Sequence, residues 1–258
     1  MLGGMTKPRA VLFDIGSTLW RSPPEHPDAL TFCYGQGLLI LAQNMPTPPE
    51  IDPLIETVEG YLAEWEEIWR TDAGQVEQRP TAEFVAEALK RLNLSLAPRP
   101  LAAFTDMIME TSVFTAMHEP PEPGMKEAMV ALNRVRGLRL GCVSNAFMSA
   151  ITLHRIMEER GFGPYLDLTV SSCDLGIRKP HPAIYEDAVK KMGFPAEETI
   201  FVGDRLDADI EGPAALGMRT VLSHQYRQED PAKARVQPGH VIGHLSELPG
   251  YIDTLIED

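Results

Sequence analysis

Four short apolar runs, each closing on polar residues, constrain this chain more than any other feature. Ala10 to Phe13 (AVLF) ends in Asp14 and a Gly-Ser-Thr turn, and Leu138 to Val143 (LRLGCV) ends in Ser144-Asn145. Leu166 to Ser171 (LDLTVS) follows a helix-like segment, and Thr199 to Gly203 (TIFVG) ends in Asp204. Short apolar runs with helical segments between them read as buried parallel strands and their crossovers. MKEAMVALNRV follows the Pro123-Gly124 turn; AIYEDAVKKMG has Pro182 at its start and Gly193 at its end, the usual order of helix punctuation. RTVLS adds a last strand, and a helix around LSELPGYIDTLIE completes the pattern. The expected fold is α/β, with polar residues at the strand ends meeting in one crevice.

Between Trp20 and Pro121 the texture changes. Leu54, Val58, Tyr61, Leu62, Trp65 and Trp69 recur at helical spacing, as do Phe84, Val85, Ala88, Leu89 and Leu92, then Leu101, Phe104, Ile108 and Phe114. With Ala29 to Ala42 this makes four amphipathic helices, enough for a small bundle inserted into the α/β core. The expected division is a core of residues 1–20 and 121–258 and a helical cap of residues 21–120. Trp65 and Trp69 at helical spacing read first as bundle core; Tyr34, Arg70 and His118 have no role that spacing assigns.

Lys and Arg total 23 against 37 Asp and Glu, a formal charge of -14. That balance repels nucleic-acid backbones and anionic membranes, so neither is an expected partner. A small anionic substrate then needs a local positive site, which a metal ion supplies. Cys33, Cys142 and Cys173 cannot all pair within one chain, show no CxxC spacing, and read as reduced, buried thiols. The start, MLGGMTKPRA, has no apolar signal core, and no apolar run is long enough to span a bilayer. The expectation is a soluble cytoplasmic protein, monomeric or homodimeric.

The chemistry-bearing residues cluster at the strand ends. Asp14, at a strand-to-turn junction, suits a nucleophile or a metal ligand, though such an Asp alone is often only a turn former. In VGDRLDADIEGPAALGM, Gly203 permits close approach, Asp204 closes a strand, and Asp207 and Asp209 open the next helix. Carboxylates gathered there repel one another without a cation, and oxygen-only ligands suit Mg²⁺. Asp207 reads as a helix-dipole acid; Asp204 does not. Ser144-Asn145 offers donors for phosphoryl oxygens, or else a plain helix N-cap. Lys179, in GIRKPHPAIY, is held among prolines where an ammonium balances charge.

Asp14, Ser144, Lys179 and the Asp204/Asp209 pair, in this order, resemble the four motifs of the haloacid dehalogenase superfamily. The resemblance covers Arg9 to Leu19 and Pro123 to Leu222, and its specificity lies in VSN, RKPHPAIY and VGDRLDADIEGPAALGM together. The insertion resembles the helical cap of the phosphatase-like subgroup. The resemblance implies a Rossmann-like sheet and a Mg²⁺-dependent phosphohydrolase acting on a small phosphorylated metabolite. It further implies that Asp14 attacks phosphorus and that Asp14, the Gly16 carbonyl and Asp204 hold Mg²⁺, with Asp209 orienting metal-bound water from behind them. Ser144, Asn145, Lys179 and Gly16 would border the substrate, Ser144 and Lys179 stabilising phosphoryl charge, and Thr18 would steady the first loop.

One position departs from the family. Phosphatases of this superfamily read D-x-D-x-T in the first motif, the second Asp acting as general acid/base, and here Gly16 stands in its place. Positioned acid/base catalysis is worth about 10²–10⁴-fold. Four readings follow: a phosphatase that uses good leaving groups or borrows an acid from the cap, with His26 as the candidate, although a turn role for His26 is the plainer one; a 2-haloacid dehalogenase, which needs no metal and carries an aromatic residue at this position; a phosphonate hydrolase, whose cap lysine would have to be Lys90, flanked by Glu87 and Arg91 on a polar face; or a catalytically feeble relative kept for binding.

Overall fold

The computed structural model describes residues 6–72 and 74–257. The first five residues, on which part of the reading of the N-terminus rests, lie outside them.

Six parallel strands form one sheet in the order β3-β2-β1-β4-β5-β6. They are β1 (Ala10–Phe13), β2 (Arg139–Ser144), β3 (Leu166–Ser171), β4 (Thr199–Gly203), β5 (Arg219–Ser223) and β6 (His240–Ile242). β1 is the centre: Phe13 pairs in register with Cys142 on one side and Val202 on the other. Residues that follow β1, β2 and β4 therefore emerge side by side, on either side of the point where chain order reverses.

Strand alternation sends successive side chains to opposite faces. Val11, Phe13, Leu140, Cys142, Ile200 and Val202 pack with α5 (Met125–Val130), α6 (Ala150–Glu159) and α10 (Leu248–Glu257). Ala10, Leu12, Val143 and Phe201 pack with α8 (Pro182–Met192) through Ile184, Tyr185 and Ala188. Both faces are covered, which is why these strands read as continuous apolar runs. Two further short helices, α7 (Ser172–Leu175) and α9 (Gly212–Ala215), cap loops after β3 and β4.

Four helices lie between β1 and α5: α1 (Pro27–Asn44), α2 (Ile51–Thr71), α3 (Thr81–Arg91) and α4 (Pro98–Met117). Pro27 and Pro98 sit in the first turns of α1 and α4, where a missing N–H costs nothing. Their apolar faces enclose a separate cluster of Tyr34, Leu54, Val58, Trp69, Phe84, Leu89, Phe104 and Ile108, which Phe147 enters from the far side. α4 also packs on α6, where Arg155 pairs with Glu110. Trp65 and Trp69 both contact Phe84 edge-on, as the stripe reading expects. Cys33 and Cys142 are buried, Cys173 is half-buried, and all three are free thiols. Among the described residues no helix is long and apolar enough to cross a membrane.

Candidate active site

Asp14 leaves β1 buried, its backbone N–H donating to the Val202 carbonyl 2.9 Å away. The following turn is tight. The amides of Leu19 and Trp20 both donate to the Ile15 carbonyl at 2.9 Å, and Ser17 takes a left-handed φ of 56°. Thr18 Oγ1 lies 3.5 Å from Asp204 Oδ1, tying this turn to the end of β4.

At the end of β4 the chain enters a π-helical turn, Leu206–Glu211, which brings Asp209 back over the strand. Its Oδ2 accepts from the amides of Asp204 and Arg205, both at 3.1 Å. Its Oδ1 accepts from Lys179 Nζ at 2.7 Å, and the same ammonium donates to Asp14 Oδ1 at 2.6 Å. Asp14, Asp204 and Asp209 thus present carboxylate oxygens within 4.8 Å of one another, all three residues buried.

The electrostatics follow from that crowding. Burial, with help from Asp209, pushes Asp14 up to about 6 against the pull of Lys179. Burial and the neighbouring Asp14 and Asp209 push Asp204 up to about 8, with Arg227 and Lys179 opposing. Burial works against the Lys179 ammonium, but Asp14 and Asp209 outweigh it and hold its pKa above the usual value.

Asn145 spends both ends of its amide on the Lys179 main chain: Oδ1 accepts from Lys179 N at 2.8 Å, and Nδ2 donates to Lys179 O at 3.0 Å. Its side chain thereby clamps the lysine while still lining the cavity. Ser144 is buried at the end of β2 and lines the cavity. It is not a helix cap, since α6 begins at Ala150 with Ser149, five residues after Ser144, as N-cap. Asp207 pairs with Arg205 at 3.0 Å, so it is an ion-pair partner as well as an acid in a first turn.

The cavity over these residues has a volume of about 280 Å³. The core contributes Asp14, Gly16, Ser144, Lys179, Asp204 and Asp209; α2 contributes Glu66, Trp69 and Arg70. His26 does not line it. Its Nδ1 caps α1 by accepting from Asp28 N at 3.2 Å, and its ring stacks on His118. Lys90 is exposed on α3 and also lies outside the cavity wall. Tyr34 is buried and donates to Glu59 at 2.6 Å.

Sequence patterns passed over two arginines. Arg227, in the irregular segment after β5, puts Nε 2.9 Å from Asp204 Oδ2. Arg178 stacks its guanidinium 3.7 Å above the Trp69 ring. A cation next to motif lysines and a loop arginine carry no periodic signal; Trp69 in the helix stripe was the nearest available clue to Arg178.

A parallel sheet that gathers carboxylates and a lysine at its switch point defines an α/β enzyme with its site on the carboxyl edge. A model of haloacid dehalogenase-like hydrolases matches residues 8–217. The chain belongs to that family and is a hydrolase. A glyceraldehyde 3-phosphate phosphatase of Methanocaldococcus jannaschii is 30% identical over 161 residues, 62% of this chain and 68% of its own length. A ribulose-1,5-bisphosphate 5-phosphatase of Halopiger xanaduensis is 28% identical over 250 residues, 93% of this chain and 97% of its own. Among solved structures, a 2-haloacid dehalogenase from Pseudomonas syringae superposes with a TM-score of 0.63 at 21% identity, covering 96% and 99% of the two chains. That last likeness is one of fold.

Proposed function

We infer that this chain is a phosphatase of small phosphorylated metabolites, working through an aspartyl-phosphate on Asp14. The observation that carries this reading is the Lys179 bridge between Asp14 Oδ1 (2.6 Å) and Asp209 Oδ1 (2.7 Å) beside Asp204. The names of the archaeal relatives support the substrate class.

The donor set fits Mg²⁺. Asp204 Oδ2 is buried and meets Arg227 Nε at 2.9 Å as an ion pair without hydrogen-bond alignment, while Asp14 and Asp204 both resist ionisation in the protein alone. Hard oxygen ligands in this number suit a cation that keeps its waters and shares a phosphate. Asp14, Asp204 and the Gly16 carbonyl would hold it. When bound, Mg²⁺ neutralises charge on the carboxylates and on the phosphoryl group. Asp209, with both oxygens already engaged, acts from behind by fixing Lys179 and the start of the π-helical turn.

The chain's own residues then divide the work. Asp14 attacks phosphorus as the P–O bond to the leaving alcohol breaks, the departing oxygen taking its proton from solvent because Gly16 supplies none. Water then cleaves the resulting acyl phosphate, releasing inorganic phosphate and the free Asp14 carboxylate. Lys179 holds Asp14 in place and stabilises the oxygens of the group in transfer. Ser144 offers its hydroxyl to those oxygens, and Asn145 keeps Lys179 in register. Thr18 steadies the turn between Asp14 and Asp204. We read residues 21–120 as a cap over a core of residues 1–20 and 121–258, with α2 forming the roof of the cavity.

Two of the competing readings meet an observation. Three clustered carboxylates have no evident use in a metal-free dehalogenase, and Lys90 on the solvent side of α3 is no imine former. The test is hydrolysis of p-nitrophenyl phosphate with Mg²⁺, with EDTA, and by Asp14→Asn. Turnover that needs both metal and Asp14 is expected; silence toward every phosphate ester would turn the reading to a binding protein.

A further inference from the structure

Five cations line the cavity, and four of them have a carboxylate partner. Lys179 is shared by Asp14 and Asp209, Arg70 pairs with Glu67, Arg205 with Asp207, and Arg227 with Asp204. Arg178 differs. Among the described residues no carboxylate lies within 4.0 Å of its guanidinium, although the residue is only 8% exposed.

A buried guanidinium without a counter-ion is unfavourable unless something else offsets it. Two contacts hold this one rigidly. Its face lies 3.7 Å from the Trp69 ring, and Nη1 donates to Gln78 Oε1, itself a buried side chain fixed by Ser172. Both neighbours are neutral, and Glu66 in the same cavity wall attracts the guanidinium only from beyond ion-pair distance. Trp69 and Gln78 set the plane of the guanidinium and leave Nε and Nη2 without protein acceptors among the described residues. Burial, with Arg205 nearby, pushes Arg178 down to about 10 against the pull of Glu66, a cost that a bound anion would reduce.

The geometry points to Arg178, seated on Trp69 and oriented by Gln78, as the docking point for a second anionic group on the substrate. That group is a carboxylate or a phosphate, since both accept two parallel N–H bonds from the planar fork. Arg178 immediately precedes Lys179, and both side chains line one cavity of about 280 Å³. The two anions are therefore separated by a chain of a few carbons. This assignment rests on the phosphatase reading for the first anion only, and it names the substrate class as a short, doubly anionic phosphomonoester.

Three probes of matched length test it: propyl phosphate, 3-(phosphooxy)propanoate and propane-1,3-diyl bisphosphate. Binding to Asp14→Asn with Mg²⁺ is measured by calorimetry, so that turnover does not interfere. The expected result is that one or both doubly anionic probes bind at least about tenfold more tightly than propyl phosphate, the scale of one charge-assisted pair. The tighter of the two identifies carboxylate or phosphate as the preferred group. Adding Arg178→Met should erase the difference, and Arg178→Lys, which keeps the charge without the fork, should retain only part of it. Equal binding of all three probes by Asp14→Asn overturns the assignment without any Arg178 variant. A preference that survives Arg178→Met also overturns it, placing the anion elsewhere. Failure of the native enzyme to hydrolyse any probe would instead count against the phosphatase reading, which the binding ratios do not touch.

Discussion

Asp209 folds its carboxylate directly over the bare α-carbon of Gly203: a Cβ built on that glycine would lie 2.3 Å from Asp209 Cγ and 2.5 Å from its Oδ2. The glycine of this motif makes room for the acid six residues on, which then reaches both the strand-end amides and Lys179. Gly203→Ala forces that carboxylate aside. Overpacking of this kind costs about 1–3 kcal/mol, and displacing Lys179 by an ångström should lower turnover about 10²-fold. Urea unfolding and steady-state kinetics on the one variant measure both; native kcat with a native unfolding midpoint would mean that Asp209 does not position the lysine.

Asp14→Asn should eliminate turnover while leaving the fold intact, because the amide keeps the shape and loses the nucleophile. In the metal-free protein the variant should be no less stable than the parent near pH 8. There the fold holds Asp14 ionised against burial and against Asp209, and the substitution removes that opposition. Residual Mg²⁺-dependent hydrolysis by a purified variant would sink the aspartyl-phosphate mechanism.

The carboxylate cluster makes metal-free stability depend on pH with a definite sign. Unfolded aspartates titrate near pH 4, whereas Asp14 is pushed up to about 6 and Asp204 to about 8. Between those limits the folded state binds more protons than the unfolded one, so this contribution is full below about pH 4 and is lost as pH rises to 8. Mg²⁺ favours the deprotonated carboxylates. The rise in melting temperature on adding Mg²⁺ should therefore grow from about pH 5 to pH 9. A rise of the same size at both ends would contradict the assignment of Asp14 and Asp204 as ligands.

Gly16 is not required by the backbone. It has no positive φ, and a Cβ there would meet only Ser22 Oγ at 3.5 Å, an ordinary contact. Gly16→Asp should fold and restore an acid beside the leaving group. Alkyl phosphates should then be hydrolysed up to about 10²-fold faster, while aryl phosphates, whose leaving groups need little protonation, change little. Should the native enzyme already treat both classes alike, the missing-acid account fails.

The sheet was legible because burial on both faces writes strands as unbroken apolar runs, and β1, β2, β3, β4 and β5 all follow them. β6 escaped because His240–Ile242 is three residues long and carries no such run. The four inserted helices were legible from their stripes. The strand-end placing of Asp14 and Asp204 was legible from the α/β pattern, and that of Lys179 and Asp209 beside them from the resemblance of the four motifs to the haloacid dehalogenase superfamily, yet the duties of individual side chains were not. Asn145 reads the same at a strand end whether its amide faces a ligand or the Lys179 main chain. His26 reads as either an acid or a turn residue, and only its partner, Asp28 N, shows it to be a helix cap. Arg227 lies in an irregular segment, and only the folded chain brings it to Asp204.

The loop between α2 and α3 has a mechanical consequence. Gln78 N donates to Gly176 O at 3.0 Å, and Arg178 N donates to Val76 O at 2.8 Å, with Glu77 and Ile177 bridging antiparallel between them. The helical layer is thus stitched to the very segment that ends in Lys179. Any displacement of the bundle at this seam would have to break these main-chain bonds or pull on the lysine loop, so the placement of Lys179 is coupled to the seating of the helices above it.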